Sequence, residues 1–150
     1  MYRARRPPGP AGDRGTRSEW PAPAVEIPAD PMRLRQAVDN LLDNAIRHGP
    51  GAGGLIRVEA AVSGEVATVV TENSGPGFAR DMLPRAFEPF VRGGPDGTPE
   101  HGAGLGLAIV QAIAQAHGGT ATAENVPGGA RVTMTLALDH GPVPDARVRT

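Results

Sequence analysis

The sequence predicts an α+β domain built as a two-layer α/β sandwich, with a mixed, mostly antiparallel sheet and about three helices on one face. Two long segments carry apolar residues at helical spacing, and two pairs of shorter segments alternate apolar and polar residues around glycine-containing turns. In chain order these segments give helix, two strands, helix, two strands. A length of 150 residues supports one domain with a core of this kind.

Composition and charge exclude several classes of protein. The formal net charge of −1 provides no bulk attraction to nucleic acid or to an anionic membrane. The chain has no cysteine, which excludes disulfides, thiolate metal sites and cysteine nucleophiles. Apolar runs are short, and the N-terminal arginines precede no apolar run, so neither a membrane span nor a secretory signal is predicted. We therefore expect a cytoplasmic protein that contacts neither nucleic acid nor membrane.

Three regions differ in composition. Residues 1–23 are rich in Pro, Gly and Arg and are predicted to be disordered, and the same prediction applies to the tail, residues 139–150. The patterned sequence between them contains no internal repeat. The ordered domain is therefore predicted to span residues 24–138.

The first predicted helix begins at Asp30 and ends near His48. Asp30 is a suitable N-cap, the proline after it fits the first helical position, and a Gly-Pro pair follows the helix. Five apolar residues fall on one side and are predicted to be buried: Leu34, Val38, Leu41, Leu42 and Ala45.

The opposite side of this helix carries polar residues that indicate a binding role. Polar residues gather there: Gln36, Asn40, Asn44, Arg47 and His48. Asparagine is a mediocre helix former, so two asparagines one turn apart indicate more than a soluble surface. Their neutral amide oxygens suit Mg²⁺ that is also held by phosphates. A solvated polar face is the alternative interpretation.

The middle of the chain is predicted to hold a hairpin and several loops. Residues 55–61 and 65–71 form the hairpin strands, and the Asn-Ser-Gly-Pro-Gly segment at 73–77 is a loop that presents a polar side chain. A short helix and turn follow over residues 81–90, and residues 93–102 form a flexible loop.

The second predicted helix covers residues 105–117 and starts within the segment GAGLGLAIV, residues 102–110. Three alternating glycines before a helix allow a ligand to approach the backbone, and the free N–H groups of the helix start attract anions, most often phosphate. A tight turn without a ligand is the alternative. Residues 120–125 and 130–138 then flank a Pro-Gly-Gly turn and predict another hairpin.

Four segments in this order resemble the motifs of one family, the catalytic ATP-binding domains of bacterial sensor histidine kinases, within the superfamily of gyrase-type and Hsp90-type ATPases. The family's N box resembles NLLDNAIRHGP, its G1 box NSGPGF, its F box FEPF and its G2 box GAGLGLAIV. The resemblance covers about residues 25–138. It implies the Bergerat ATP-binding fold, ATP and Mg²⁺ as cofactors, and transfer of the γ-phosphate to a histidine.

The resemblance implies a role for each matching residue. Asn44 would bind Mg²⁺, Asn40 would be its polar partner, and Arg47 and Arg92 would contact phosphates; these four are the catalytic candidates. Asn73 stands where the family usually has an aspartate that binds the adenine amino group. The other nucleotide-binding candidates line the base or the phosphates: His48, Gly75, Gly77, Phe90, Gly102, Gly104, Leu105, Gly106 and Leu107.

Two features bear on the reaction: a residue that distinguishes members of the superfamily, and a departure from the family in the lid. Asn40 replaces the glutamate of the hydrolysing members and of the related anti-sigma serine kinases, and an amide is not basic enough to take a proton. This favours a histidine kinase, because an imidazole acceptor is already nucleophilic. The lid, residues 93–101, contains no Lys or Arg, which favours the alternative of a nucleotide-binding module with little phosphotransfer.

The acceptor histidine is expected on another chain. The histidines are His48, His101, His117 and His140, and none begins a helix in the family's acceptor setting. We therefore expect a histidine-bearing dimerisation domain as partner, a response regulator as indirect partner, and an incomplete kinase in this chain. His117 is interpreted instead as a favourable charge at a helix C-terminus.

Overall fold

The computed structural model describes residues 2–4, 17–19, 25–47, 54–89 and 105–138. In chain order the elements are β1 (Tyr2–Ala4), β2 (Arg17–Glu19), β3 (Val25–Ile27), α1 (Pro31–Arg47), β4 (Leu55–Ser63), β5 (Val66–Ser74), α2 (Gly106–Ala116), β6 (Ala121–Val126) and β7 (Gly129–Ala137). A single 3₁₀ turn, Leu83–Arg85, stands in the segment predicted to hold a short helix.

The main sheet has the strand order β2-β4-β5-β7-β6. All neighbours are antiparallel except β2 and β4, which are parallel. Alternate residues of β5 and β7 are buried, and the buried rows pack against α1 and α2, which form the second layer. The predicted α+β sandwich with a mixed, mostly antiparallel sheet is confirmed.

Helix α1 begins at its predicted cap. The Asp30 Oδ1 accepts hydrogen bonds from the backbone N–H groups of Met32 at 2.9 Å and Arg33 at 3.4 Å. All five residues predicted on the apolar side are buried, and Ala37 joins them. The helix is described as far as Arg47, and His48 lies outside the described residues.

Replacing Asp30 with alanine is expected to lower the free energy of unfolding by about 1 kcal/mol, because two N–H groups of the first turn lose their acceptor. The matched control is Asp39→Ala in the same helix. Asp39 makes only an exposed pair with Arg35, 3.9 Å apart, so the expected change is within about 0.5 kcal/mol. Urea unfolding measures both, and equal losses would exclude the capping role.

Both predicted hairpins are confirmed; the strands of the first are longer than predicted, and those of the second are each shifted by one residue. Strands β4 and β5 pair from Ile56 opposite Asn73 to Ser63 opposite Val66. The β6–β7 turn has two residues, Pro127 and Gly128, because the third predicted turn residue is the first of β7. Helix α2 ends before Gly118, whose φ of 71° suits glycine at a helix C-terminus.

His117 lies at the end of α2, as the sequence indicates, but in the interior. Its side chain is buried, and the Nδ1–H donates to the Ile113 carbonyl at 2.8 Å. Among the described residues the ring Nε2 has no hydrogen-bond partner. The buried ring therefore donates a hydrogen bond to one carbonyl at the end of the helix, and it does so inside the core rather than at the surface.

The segment predicted to be disordered, residues 1–23, contains two short strands. Strand β1 pairs antiparallel with β3, and β2 pairs parallel with β4 at Leu55–Arg57. These strands correct that prediction at residues 2–4 and 17–19, because a three-residue strand depends on the ladder of its partner rather than on its own composition. The rest of 1–23 and residues 139–150 lie outside the described residues, so the domain boundaries stay a prediction.

No helix within the described ranges is long and apolar enough to cross a membrane.

Candidate functional site

The polar side of α1 lies against the start of α2. Asn40 and Asn44, one turn apart, are both half-buried. The Asn40 Nδ2 donates to the Gln36 carbonyl at 3.0 Å, and a Cβ added to Gly106 would lie 3.4 Å from the Asn40 Oδ1. The structure therefore brings together two of the segments that the sequence singled out separately.

Helix α2 begins with Gly106, next to Asn40 of α1. Leu105 occupies the N-cap position, and no side chain of the described residues caps the helix there. The N–H groups of the first turn have no acceptor inside their own helix. Leu107 is buried in the core and fixes the helix direction. An uncapped helix start beside polar side chains is an arrangement suited to binding an anion.

Asn73 is the penultimate residue of β5 and is buried. It lies in one cross-strand row with Ile56, Ala130 and Asn125, of which Ile56 and Ala130 are buried and Asn125 is exposed. The prediction that Asn73 starts a loop is wrong, because the ladder continues through Ser74 opposite Gly129. Gly129 permits this close approach, since a Cβ there would meet the Asn73 carbonyl oxygen at 1.9 Å.

The turn after β5, residues 75–78, needs its glycines. Gly75 has a φ of 134° and Gly77 a φ of 78°, which side chains disfavour. The Gly75 N–H donates to the Gly128 carbonyl at 2.9 Å, and Phe78 packs partly buried against the core. The 75–78 turn is therefore attached to the β6–β7 hairpin.

Asn125 makes a second attachment, and sequence reasoning missed it. Its Oδ1 accepts from the Phe78 N–H at 2.8 Å, and its Nδ2 donates to the Phe78 carbonyl at 3.0 Å. The available signal was an asparagine inside a predicted strand, where asparagine is disfavoured.

Arg47 pairs within its own helix in this structure. Its guanidinium pairs with the Asp43 carboxylate one turn earlier, with 2.7 Å between the Nη2 and Oδ2 atoms. The Arg47 side chain is 29% exposed and that of Asp43 is 57% exposed. A phosphate contact from Arg47 therefore stays a prediction.

The remaining candidates divide between described and undescribed residues. Of the F box, Phe87 packs partly buried against the core. Several candidates lie outside the described residues, as does the lid: His48, Phe90, Arg92, Gly102, Gly104 and residues 93–101.

The donor set on α1 fits Mg²⁺ shared with phosphates. Across the described ranges no three His, Asp or Glu side chains gather in a way that could hold a metal ion. Mg²⁺ usually keeps several waters and takes only one or two protein ligands beside substrate phosphates. One half-buried amide oxygen of Asn44, a turn from Asn40, meets that requirement.

Comparison with known proteins identifies the family of this chain. The family model of histidine kinase-, DNA gyrase B-, and HSP90-like ATPases matches residues 29–140. The signal transduction histidine-protein kinase AfsQ2 of Streptomyces coelicolor is 38% identical over 122 residues, which are 81% of this chain and 22% of AfsQ2. The sensor histidine kinase component HK1 of Mycobacterium tuberculosis is 40% identical over 131 residues, which are 87% of this chain and 74% of HK1.

Solved structures give the same result. The mycobacterial sensor histidine kinase MprB superposes with a TM-score of 0.71 at 28% identity, covering 85% of this chain and 87% of that chain. The ATP-binding domain of PrrB from Mycobacterium tuberculosis superposes with a TM-score of 0.59 at 35% identity, covering 83% and 80%. The chain spans about a quarter of the length of AfsQ2 and of the CusS kinase of Escherichia coli. It belongs to the histidine kinase-, DNA gyrase B- and HSP90-like ATPase family, and within that family to the ATP-binding domains of sensor histidine kinases.

Proposed function

We propose that this domain binds ATP with Mg²⁺ between α1 and the start of α2, and transfers the γ-phosphate to a histidine that lies outside the 150 residues. The observation that carries the proposal is the approach of Asn40 to Gly106, where an added Cβ would lie 3.4 Å from the amide oxygen. It joins a polar helix side to an uncapped helix start, and phosphates bind to such helix starts. Membership of the family supports the same conclusion.

The phosphates would be held by backbone and by arginine. The first N–H groups of α2 would donate to phosphate oxygens, and the glycines Gly102 and Gly104 would let the backbone approach them. Arg47 would have to exchange its Asp43 partner for a phosphate. That exchange costs little, because an ion pair one helical turn apart with a solvent-exposed carboxylate contributes only about 0.3–0.5 kcal/mol. Arg92 would add a second positive charge.

Asn44 would hold Mg²⁺ through its amide oxygen, with Asn40 beside it. The metal, when bound, would neutralise negative charge on the phosphates. The hydrogen bond from Asn40 Nδ2 to the Gln36 carbonyl leaves the Asn40 Oδ1 free to face the start of α2. This orientation suits a role in ordering groups around the phosphates.

The proposed transfer needs no base from this chain. An imidazole nitrogen attacks the γ-phosphorus with its lone pair, the new N–P bond forms, and the bond to the bridging oxygen breaks so that ADP leaves with that electron pair. A serine hydroxyl would first have to lose a proton, and the Asn40 amide cannot accept it. Asn40 therefore favours histidine over serine as the acceptor.

Asn73 would recognise the adenine amino group through its amide oxygen. The expected bond is weaker than with the carboxylate usual in the family, because a neutral acceptor replaces a charged one. Gly75 and Gly77 would shape this side of the pocket, and His48 and Phe90 would lie near the base.

The partners of the reaction follow from its chemistry. The acceptor would belong to a histidine-bearing dimerisation domain, and a response regulator would receive the phosphoryl group from it. HK1 is named as a component of a sensor histidine kinase, which supports an acceptor supplied by another chain. Since ATP and response regulators are cytoplasmic, we place the reaction in the cytoplasm.

A second candidate function is nucleotide binding with little transfer. Residues 93–101 contain no Lys or Arg to contact the γ-phosphate, and this favours a binding module that regulates a partner kinase. Both functions share the same pocket, so only transfer distinguishes them.

The test grafts residues 25–138 into AfsQ2 in place of its own ATP-binding domain and supplies γ-labelled ATP with Mg²⁺. Acid-labile label on the chimera, absent when Asn44 is replaced by alanine, is the expected result. Native AfsQ2 is the positive control. Calorimetry with the 150-residue chain measures ATP binding separately. Binding without transfer would favour the second function, and no binding at all would contradict both.

A further inference from the structure

Asn125 attaches the 75–78 turn to the sheet through both halves of its amide. The Oδ1 accepts from the Phe78 N–H at 2.8 Å and the Nδ2 donates to the Phe78 carbonyl at 3.0 Å. One side chain thereby pairs with both the backbone N–H and the backbone carbonyl of one residue, as a neighbouring strand would. The two residues are 47 positions apart in the chain, so these bonds are tertiary contacts.

This arrangement requires asparagine. An aspartate at position 125 would still accept from the Phe78 N–H, but it would set a carboxylate oxygen against the Phe78 carbonyl. Alanine would make neither bond. The same contact also requires a residue without a side chain at Gly77, because a Cβ there would lie 2.5 Å from the Asn125 Oδ1. Gly77 therefore provides space for Asn125 as well as a positive φ.

Besides Asn125, the turn is held by the packing of Phe78 against the core and by one backbone hydrogen bond. Its first three residues are Gly-Pro-Gly, which supply little side-chain contact, and Pro76 has no N–H to donate. The Gly75 N–H donates to the Gly128 carbonyl at 2.9 Å, so both ends of the turn are attached to the same hairpin. Asn125 makes two of these three hydrogen bonds.

Asn125 and Asn73 lie in one cross-strand row of the sheet, with Ala130 between them. Two strand spacings, roughly 10 Å, separate their backbones. The turn that Asn125 holds begins two residues after Asn73. The position of the turn relative to Asn73 therefore depends on Asn125.

We propose that Asn125 is a positioning residue for base recognition: it fixes the 75–78 turn beside Asn73, and so sets the affinity and selectivity for adenine without touching the nucleotide. This inference rests on the proposed function, because it assumes that the pocket takes a nucleotide with its base near Asn73. The phosphate side, at α1 and the start of α2, does not depend on Asn125.

The test measures ADP and GDP binding by calorimetry for the full chain, Asn125→Ala and Asn125→Asp. Loss of the two hydrogen bonds is expected to weaken ADP binding about tenfold. GDP binding is expected to change less, so the preference for ADP over GDP falls about threefold or more. The control is Glu124→Gln in the same strand; within the described residues, the Glu124 side chain makes an exposed contact with Arg131 at 3.5 Å. This control should leave both affinities unchanged.

Thermal unfolding of each variant identifies a temperature at which all of them are folded. If Asn125→Ala does not fold, the comparison uses Asn125→Asp, which keeps one of the two hydrogen bonds. A purely structural role would weaken ADP and GDP binding by the same factor and would overturn the proposal. Unchanged ADP affinity in both Asn125 variants would overturn it as well. A wild-type chain that binds neither nucleotide would instead contradict the proposed function, and this inference with it.

Discussion

Replacing Asn44 with alanine is expected to abolish the Mg²⁺-dependent part of ATP binding. Asn44 is half-buried on the side of α1 that meets α2, and its amide oxygen is the proposed protein ligand of the metal. Loss of a residue that only supports a metal ligand typically weakens binding 10–100-fold, so loss of the ligand itself is expected to cost about 100-fold or more. Asn44→Asp is also expected to fail, because it adds a negative charge close to the phosphates.

Calorimetry with ATP, in the presence of Mg²⁺ and then with the metal chelated, measures this prediction. Wild-type affinity should fall on chelation to a value near that of the Asn44 variants, whose affinity should not respond to chelation. The control is Arg35→Gln on the same helix, since the Arg35 side chain is 73% exposed and makes only an exposed pair with Asp39. Retained Mg·ATP affinity in Asn44→Ala would remove Asn44 from the site.

Local chemistry explains why α1 could be predicted closely from the sequence. Its start depends on one side chain, Asp30, and on a proline next to it. Its buried side follows from the spacing of apolar residues, which a helix converts directly into one face. The polar side with Asn40 and Asn44 could be identified for the same reason. Ala37 was missed because a small residue beside the apolar stripe contributes little to the pattern.

Long-range contacts explain what could not be predicted. The extension of β5 through Asn73 depends on the absence of a side chain at Gly129, more than 50 residues later in the chain. The attachment of Phe78 depends on Asn125 in the same way. Strands β1 and β2 are three residues long and are defined by their partners, β3 and β4. No window of local sequence contains both halves of such a contact.

The ion pairs on the outer face of the sheet could not be predicted from local sequence either. Arg131 lies directly opposite Glu72 on one side and Glu124 on the other. Its Nη2 lies 2.7 Å from the Glu72 Oε2, and hydrogen bonding with Glu72 raises the pKa of the Arg131 guanidinium. Alternation along β7 predicts that Arg131 faces outward, but only the register of three strands shows which carboxylates it meets.

Replacing Gly129 with alanine is expected to lower the free energy of unfolding by about 3 kcal/mol, near the upper end of the usual cost of overpacking. A Cβ on this residue would meet the Asn73 carbonyl oxygen at 1.9 Å and the Ser74 Cα at 3.0 Å. Both are backbone atoms of the neighbouring strand, so no side-chain rotation relieves the contact. Either β7 or the end of β5 must move, and nucleotide binding through Asn73 should weaken with it.

Gly128→Ala is the matched control, because it changes the neighbouring turn residue, where the cost of alanine has a different physical cause. Gly128 has a φ of 82° with open space around its Cβ position, so alanine there meets only backbone strain of about 1 kcal/mol. Urea unfolding of both variants compares the two costs directly. Gly129→Ala should be clearly the less stable, and it alone should weaken ADP binding among molecules that remain folded. Equal losses of stability would mean that β5 and β7 do not approach as closely at Asn73 as the register requires, and the assignment of Asn73 to the end of a paired strand would then be wrong.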